Sequence, residues 1–348
     1  MINFQTLVAT KAARLTVAAG PAEVIEFGLR RAQGPDGGLS VARAACIGGV
    51  RSTSNVWAGQ EFGLPVRGTH AHSWVMAFPD ELTAFRAYAA TFPDSSVLLV
   101  DTYDTLASGI PHAITVAGEL RAKGHELRGI RLDSGDLAYL SREARRMFDA
   151  AGFMQVKIVA SNELDEQVIA AIRSDGGEVD IYGVGTRLAT CAGEGGGALG
   201  GVYKLVEIGG RPCLKTTSDP AKATLPGRKR VLRAVGPEGR LVMDVLDLLD
   251  GGGEPFRAGE TAFDPANLQR CKTVAVDCEL VDCREVVMEG GECLVPAPPL
   301  AAMADYCARQ LQRLPEGSLR LVNPHRYKVG VSRRLLALRE ELVRAAGG

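Results

Sequence analysis

The chain has 348 residues, a formal net charge of −1 and a pI near 6.5. It therefore lacks the basic footprint of a nucleic-acid binder, and it is long enough for one large domain and a smaller one. Its apolar runs, such as Val97-Leu-Leu-Val100, are too short to span a bilayer. The N-terminus carries no charged-then-apolar leader, and the eight scattered cysteines fit reduced thiols better than a disulfide framework. The expectation is a cytoplasmic protein with neither nucleic acid nor membrane as partner.

In chain order, residues 1–19 space their apolar side chains as an amphipathic helix, and Ala22 to Phe27 form a strand that delivers Gly28 to Arg31 into a loop. Ser40 is placed to cap a helix over Val41 to Ile47, and Thr53-Ser-Asn opens a second one over Val56 to Phe62. Val66 to Met76 alternates like a strand. Pro79 to Tyr88 is a helix, followed by a strand over Ser96 to Val100 that ends in Asp101-Thr-Tyr-Asp104. Ile110 to Lys123 is helical; Leu127 to Leu132 is a strand running into Asp133-Ser-Gly-Asp136. A helix over Ser141 to Ala150 leads to a strand over Val156 to Ala160 and the pair Ser161-Asn162. Last come a helix over Leu164 to Ser174 and a strand over Glu178 to Tyr182, ending in Gly183-Val-Gly-Thr186.

Repeated strand–loop–helix units imply parallel strands with covering helices, and polar residues gathered after successive strands imply a catalytic rim. The fold class is α/β: an irregular, incomplete α/β barrel with a smaller α+β domain. After Gly200 the texture changes. A hairpin of Val202 to Ile208 and Pro212 to Thr216 turns at Gly209-Gly210, strands cover Leu241 to Leu249 and Cys271 to Leu280, and helices cover Ala301 to Leu314 and Ser332 to Ala345. The expected division is a leading helix over 1–20, a barrel over 21–235 and an α+β portion over 236–348. Two glycine-rich runs, 193–201 and 251–253, read as loops, the first of them placed to cover a site. The basic run Gly227-Arg-Lys-Arg230 reads as a solvated turn.

The densest stretch runs from Glu26 to Ser73. On the strand reading, His70 and His72 face the same side, so they suit a metal, a nucleophile or acid–base group, or local hydrogen bonds. None of His112, His125 and His325 falls where a third metal ligand would come from. In Asp133-Ser134-Gly135-Asp136 the carboxylates can hold sugar hydroxyls or a water-bound Mg²⁺, or can simply cap a helix. Gly183 and Gly185, followed by Thr186, make either a phosphate cradle or a plain tight turn. Arg30, Arg31 and Arg131 flank these loops as forks for phosphate or carboxylate, and Phe27 offers a ring face to a flat heteroaromatic or to the core. Cys278, Cys283 and Cys293 match no paired zinc signature.

Taken together, EFGLRRAQGPDGG, IGGVRSTSNVWAGQEFGLPVRGTHAHSWV, RLDSGD and YGVGTRLATC resemble the nicotinate phosphoribosyltransferase family. The match runs in order from residue 2 to about 235 and more loosely to the end. The resemblance implies an enzyme joining nicotinate to 5-phosphoribosyl 1-diphosphate, with nicotinate mononucleotide and pyrophosphate as products in NAD biosynthesis. It implies Mg²⁺, ATP hydrolysis coupled through a phosphorylated histidine, and a homodimer with sites at the subunit interface. Residue by residue, His72 matches the phosphohistidine, Thr69 and Arg131 match nicotinate contacts, and Thr186 a contact to the phosphoribosyl diphosphate. Phe27 resembles the ring that stacks on the base, with Arg30 its neighbour. Ser54 and Asn55 fall where acid is chosen over amide. Asp133 resembles the ribose or Mg²⁺ contact, and Ser134, Gly135, Ser161, Gly183 and Gly185 belong to the same lining.

Family members usually carry a long segment ahead of the position of Ile2, one that supplies a second base-stacking ring. A form without it is expected to be weakly active or poorly soluble. Three alternatives stand beside this reading: a related enzyme using nicotinamide or quinolinate, a chain that binds ligand without turnover, and a barrel metallohydrolase built on His70 and His72.

Overall fold

The computed structural model describes residues 2–193, 197–215, 224–250 and 253–347. Contacts divide the chain into two units, the first comprising residues 1–199 with 299–308, the second 200–298 with 309–348. The boundary expected near 235 falls instead within the second unit, between two neighbouring antiparallel strands (residues 229–235 and 241–248) of one sheet. Parts of the loops expected at 193–201 and 251–253 lie outside the described residues.

The first unit is built on six parallel strands: β1 (Glu23–Glu26), β2 (Ser52–Thr53), β3 (Val97–Leu99), β4 (Gly129–Leu132), β5 (Lys157–Ser161) and β6 (Ile181–Val184). They pair in the order β2-β1-β6-β5-β4-β3, so the sheet stays open between β2 and β3 and the barrel is incomplete. Buried Ile130, Ile158, Val159 and Val184 supply the apolar runs that two-sided burial of a parallel strand requires. The order also places every strand's carboxyl end on one rim, where open α/β sheets bind ligands.

Helices α1 (Ile2–Ala19), α2 (Gly34–Ile47), α3 (Val56–Phe62), α4 (His72–Met76), α5 (Glu81–Thr91), α6 (Ile110–Ala122), α7 (Leu137–Ala150), α8 (Glu166–Ser174) and the single turn α9 (Thr186–Ala189) connect the strands. Polar caps set their starts: Asn55 accepts the Ala58 N–H, Asp80 the Thr83 N–H, Asp136 the Tyr139 N–H and Asp165 the Val168 N–H. Two local expectations fail. α2 begins at Gly34, six residues before Ser40, because Pro35 in the first turn needs no N–H and Asp36 suits the helix dipole. The strand expected over 66–76 is a single bridge between Thr53 and Val66, after which the chain turns into α4. There Trp74 donates its indole N–H to the Ala84 carbonyl at 3.1 Å and packs against Phe78 and Tyr88, which anchors α4 on α5.

The second unit opens with the short hairpin of β7 (Glu207–Ile208) and β8 (Arg211–Pro212); Thr216, its expected end, lies outside the described residues. A six-stranded sheet follows, made of β9 (Lys229–Val235), β10 (Leu241–Leu248), β11 (Thr261–Asp264), β12 (Asn267–Thr273), β13 (Glu279–Asp282) and, beyond the hairpin of β14 (Met288–Glu289) and β15 (Glu292–Cys293), β16 (Val329–Val331). The strand expected over 271–280 is therefore the end of β12 and the start of β13, which lie at opposite edges of this sheet. Helices α10 (Leu300–Arg313), which up to Ala308 belongs to the first unit, and α11 (Arg333–Gly347) match the expected pair, and Leu335 and Leu336 of α11 pack on Leu248 and Val331. The basic run at 227–230 is not a solvated turn. Lys229 Nζ donates to the Leu225 carbonyl at 2.7 Å, and Arg230 pairs with Asp247, whose side chain is wholly buried.

Candidate active site

A cleft of about 370 Å³ lies at the carboxyl ends of the strands of the first unit. β1 delivers Phe27, β2 Ser54, β4 Asp133, β5 Ser161 with Asn162 and Glu163, and β6 Gly183 to Thr186. The stretch between α3 and α4 adds Thr69 and His72. Of the residues expected here, Phe27, Arg30, Ser54, Thr69, His72, Arg131, Asp133, Ser161, Gly183, Gly185 and Thr186 line the cleft together. Three do not. Asn55 is 2% exposed and spends its carbonyl oxygen on the α3 cap. Ser134 donates to Asp101 behind the cleft, and Gly135 makes the left-handed turn (φ 80°) into α7.

Arg131 is the hub. Its guanidinium donates to Ser161 Oγ at 2.7 Å, to Thr69 Oγ1 at 3.0 Å and to Asp133 Oδ1 at 2.7 Å, and it lies 5.5 Å from the centroid of the Phe27 ring. A planar fork held at three points is fixed in direction, so it presents one edge to whatever stacks on Phe27. Phe27 is seated by glycine: a Cβ on Gly183 would come within 2.6 Å of its ring. Arg30 and Arg31 are exposed on the same wall.

Behind this wall Glu26 is 1% exposed and makes no ion pair among the described residues. Its carboxylate takes the Gly28 N–H and the Thr53 hydroxyl, while its backbone carbonyl takes the Ser54 N–H at 2.9 Å. Burial pushes its carboxyl above the ordinary range, and the bonds from Thr53 and Gly28 offset part of that. It ties Phe27 to Ser54.

The two histidines face different ways. His70 is buried, accepts the Leu99 N–H at its Nε2 (3.1 Å), turns its Nδ1 to the Ala71 carbonyl (3.3 Å) and meets Tyr88 edge-on. That pattern requires the neutral ring. Burial, with Arg131 and His72 nearby, lowers its pKa to about 4, against the bond to Ala71. His72 opens α4 and reaches the cleft, its Nε2 3.2 Å from Asp101 Oδ1. The Asp101 side chain is only 1% exposed, and its other oxygen accepts the Asp133 N–H at 2.8 Å and the Ser134 hydroxyl at 2.6 Å. The expectation of co-facing imidazoles is thus overturned, and with it the metallohydrolase built on both, because His70 has no nitrogen to spare. No group of three or more His, Cys, Asp or Glu side chains suited to a metal gathers among the described residues.

The sequence reading left out Asp101, Asn162 and Glu163. Asp101 ends an apolar strand run, which was the available signal; its partner lies 29 residues away and gives none.

Comparison with known proteins follows the same outline. The model of the nicotinate phosphoribosyltransferase family matches residues 22–242, and that of the nicotinate phosphoribosyltransferase C-terminal domain matches 228–339. The nicotinate phosphoribosyltransferase of Bacillus subtilis is 43% identical, over 95% of this chain and 68% of its own. The chain belongs to the nicotinate phosphoribosyltransferase family. The Dictyostelium discoideum family member is 41% identical over 96% of this chain and 65% of its own length. The crystal structure of human nicotinic acid phosphoribosyltransferase superposes with a TM-score of 0.80 at 35% identity, covering 98% of this chain and 75% of that one. The chain thus spans about two thirds of the length of these curated relatives. No helix among the described residues is long and apolar enough to cross a membrane.

Proposed function

We propose that the chain acts as a nicotinate phosphoribosyltransferase, joining nicotinate to 5-phosphoribosyl 1-diphosphate with ATP hydrolysis coupled through phosphorylation of His72. The names of its relatives support the substrate, and one observation carries the mechanism: a cleft histidine backed by a buried carboxylate, beside a guanidinium locked over an aromatic ring. Nicotinate is flat and anionic. Phe27 offers its ring a stacking face and Arg131 offers its carboxylate donors of fixed direction, while Thr69, whose hydroxyl accepts from Arg131 and donates to the His70 carbonyl, steadies that guanidinium at the same end. Ser54 closes the same end, and Arg30 adds positive potential at the rim.

Breaking the bond from C1 to the diphosphate builds positive character on the ribose and negative charge on the leaving group. Gly183, Gly185 and Thr186 at the end of β6 are the proposed hold on the phosphates; Asp133, with Ser161, the proposed hold on the ribose side. Asp133 accepts from Arg131 and Ser161 through Oδ1 alone, so its Oδ2 would be the group to hold, through water, a Mg²⁺ ion carried on the diphosphate, and that ion would supply charge neutralisation for the leaving group.

Asp101 fixes the tautomer of His72. An acceptor at Nε2 keeps the proton there, leaving the Nδ1 lone pair as the nucleophile toward the γ-phosphoryl group of ATP, and steadies the ring as charge develops. A homodimer, implied by the family resemblance, and a cytoplasmic setting, expected from composition and cysteine usage, stay part of the proposal.

The test is mononucleotide formation from phosphoribosyl diphosphate and Mg-ATP, with nicotinate and nicotinamide offered in parallel. Nicotinate-dependent product, with ATP coupling lost in His72→Ala, is expected. Equal use of nicotinamide, or coupling that survives the substitution, would overturn the reading.

A further inference from the structure

We propose that Glu163 is a stand-in for a phosphate oxygen: its carboxylate occupies the acceptor position beside Thr186 and Arg187, yields it when an anion binds, and so limits the cleft's affinity. The inference rests on the reading of this cleft as a phosphoribosyl diphosphate site and adds a residue that sets its affinity.

Three observations converge on Glu163. The first is backbone. Asn162 (φ 97°) and Glu163 (φ 41°) are consecutive non-glycine residues in the left-handed region, directly after β5. L side chains adopt that region at a cost, and such residues gather at binding sites and switches. Here the strained pair aims a carboxylate into the cleft.

The second is the quality of the contact. Thr186 Oγ1 donates to Glu163 Oε1 at 3.2 Å, long for a hydroxyl bonded to an ionised acid. Glu163 Oε2 stands 3.9 Å from Arg187 Nε, beyond hydrogen-bond reach, and that nitrogen is shielded from solvent with no partner among the described residues. A buried donor left unmet is a deficit that a better-placed acceptor removes. A phosphate group carries several oxygens and can serve the Thr186 hydroxyl and the Arg187 Nε together, whereas this carboxylate serves one.

The third is the contrast with the other acids of the cleft. Asp101 is shut away with both oxygens bonded, and Asp133 is locked to Arg131. The Glu163 side chain is 59% exposed and can swing into water at little cost. A negative charge that can leave, at a place where anions are to arrive, opposes their binding until it does.

The experiment is calorimetric titration of inorganic pyrophosphate, and separately of inorganic phosphate, into the wild type, Glu163→Gln and Glu163→Ala. The residue is exposed, so both variants should fold; thermal melts check this. Each variant is expected to bind pyrophosphate about three- to ten-fold more tightly than the wild type, with the gain shrinking as salt is raised. Unchanged binding would mean that the contact carries no weight. Weaker binding would mean that Glu163 holds the ligand; either result overturns the proposal. These probes need no nicotinate, so the two readings fail separately. Nicotinate-dependent turnover without tighter anion binding sinks only the role of Glu163, while tighter binding without such turnover sinks only the assigned reaction.

Discussion

Arg131 in the first unit and Arg334 in the second are both guanidinium groups docked on a carboxylate, and they differ in what they leave unused. Around Arg334 everything is consumed. Asp247 is fully buried; it takes Arg334 at 2.6 and 2.7 Å, Arg230 at 2.8 Å and the Phe256 N–H at 3.2 Å. Burial alone would raise its pKa, yet the bonds from Arg334 and Arg230 hold it well below the usual carboxylate range. Around Arg131 the partners are half open. Asp133, Thr69 and Ser161 all face the cleft, and the Phe27 ring lies within reach of the guanidinium. The closed cluster ties strands together; the open one holds donors in fixed directions for something else to meet.

Substitution should separate the two. Arg334→Ala strips a fully buried carboxylate of its main partner, so a loss of about 3–5 kcal/mol in unfolding free energy is expected by denaturant titration. A loss below about 1 kcal/mol would mean that Arg230 alone suffices and that the cluster is redundant. Arg131→Lys should do the reverse. A lysine cannot serve three partners in one plane, so kcat/KM for nicotinate should fall about 10²- to 10³-fold, while the melting temperature moves by only a few degrees. A variant that unfolds instead would place Arg131 with Arg334, as a tie rather than a contact.

How far each region could be read beforehand follows the same division. Strand ends and their polar residues were legible because apolar runs and glycine turns are local signals; hence most of the cleft was assembled in advance. Asn55 was legible as part of a helix opening, not as a residue turned away from ligand, because the two fates differ only in rotamer. The alternation of Val66 to Met76 was misleading. A strand and a short helix leaning on Trp74 share that pattern, and the deciding contact is the Ala84 carbonyl on another helix. Asp101 and Glu163 needed the fold, since α4 and β4 bring Asp101 its partners and β6 brings Glu163 its own. In the second unit the basic run at 227–230 looked solvated because its acid, Asp247, lies on the neighbouring strand.

The pair His70 and His72 sets the same contrast two residues apart, and acid should expose it. His70 is held neutral, with its pKa lowered to about 4 from an ordinary value near 6.5. A base whose folded pKa is depressed contributes stability above the unfolded value and loses it as pH falls through the folded one. The wild type should therefore shed up to about 3 kcal/mol between pH 6.5 and 4 through this residue alone. In His70→Gln the amide can still accept the Leu99 N–H and face the Ala71 carbonyl, so the fold should persist with a smaller loss at neutral pH. The stability gap between wild type and variant should then close as the solution is acidified, because the variant has no ring to charge. Urea titrations at pH 4.5 and 7.5 measure it. Parallel acid slopes in the two proteins would show that His70 is not kept neutral by its surroundings. Loss of ATP coupling in a well-folded His70→Gln would go further, moving the nucleophile from the open histidine to the closed one.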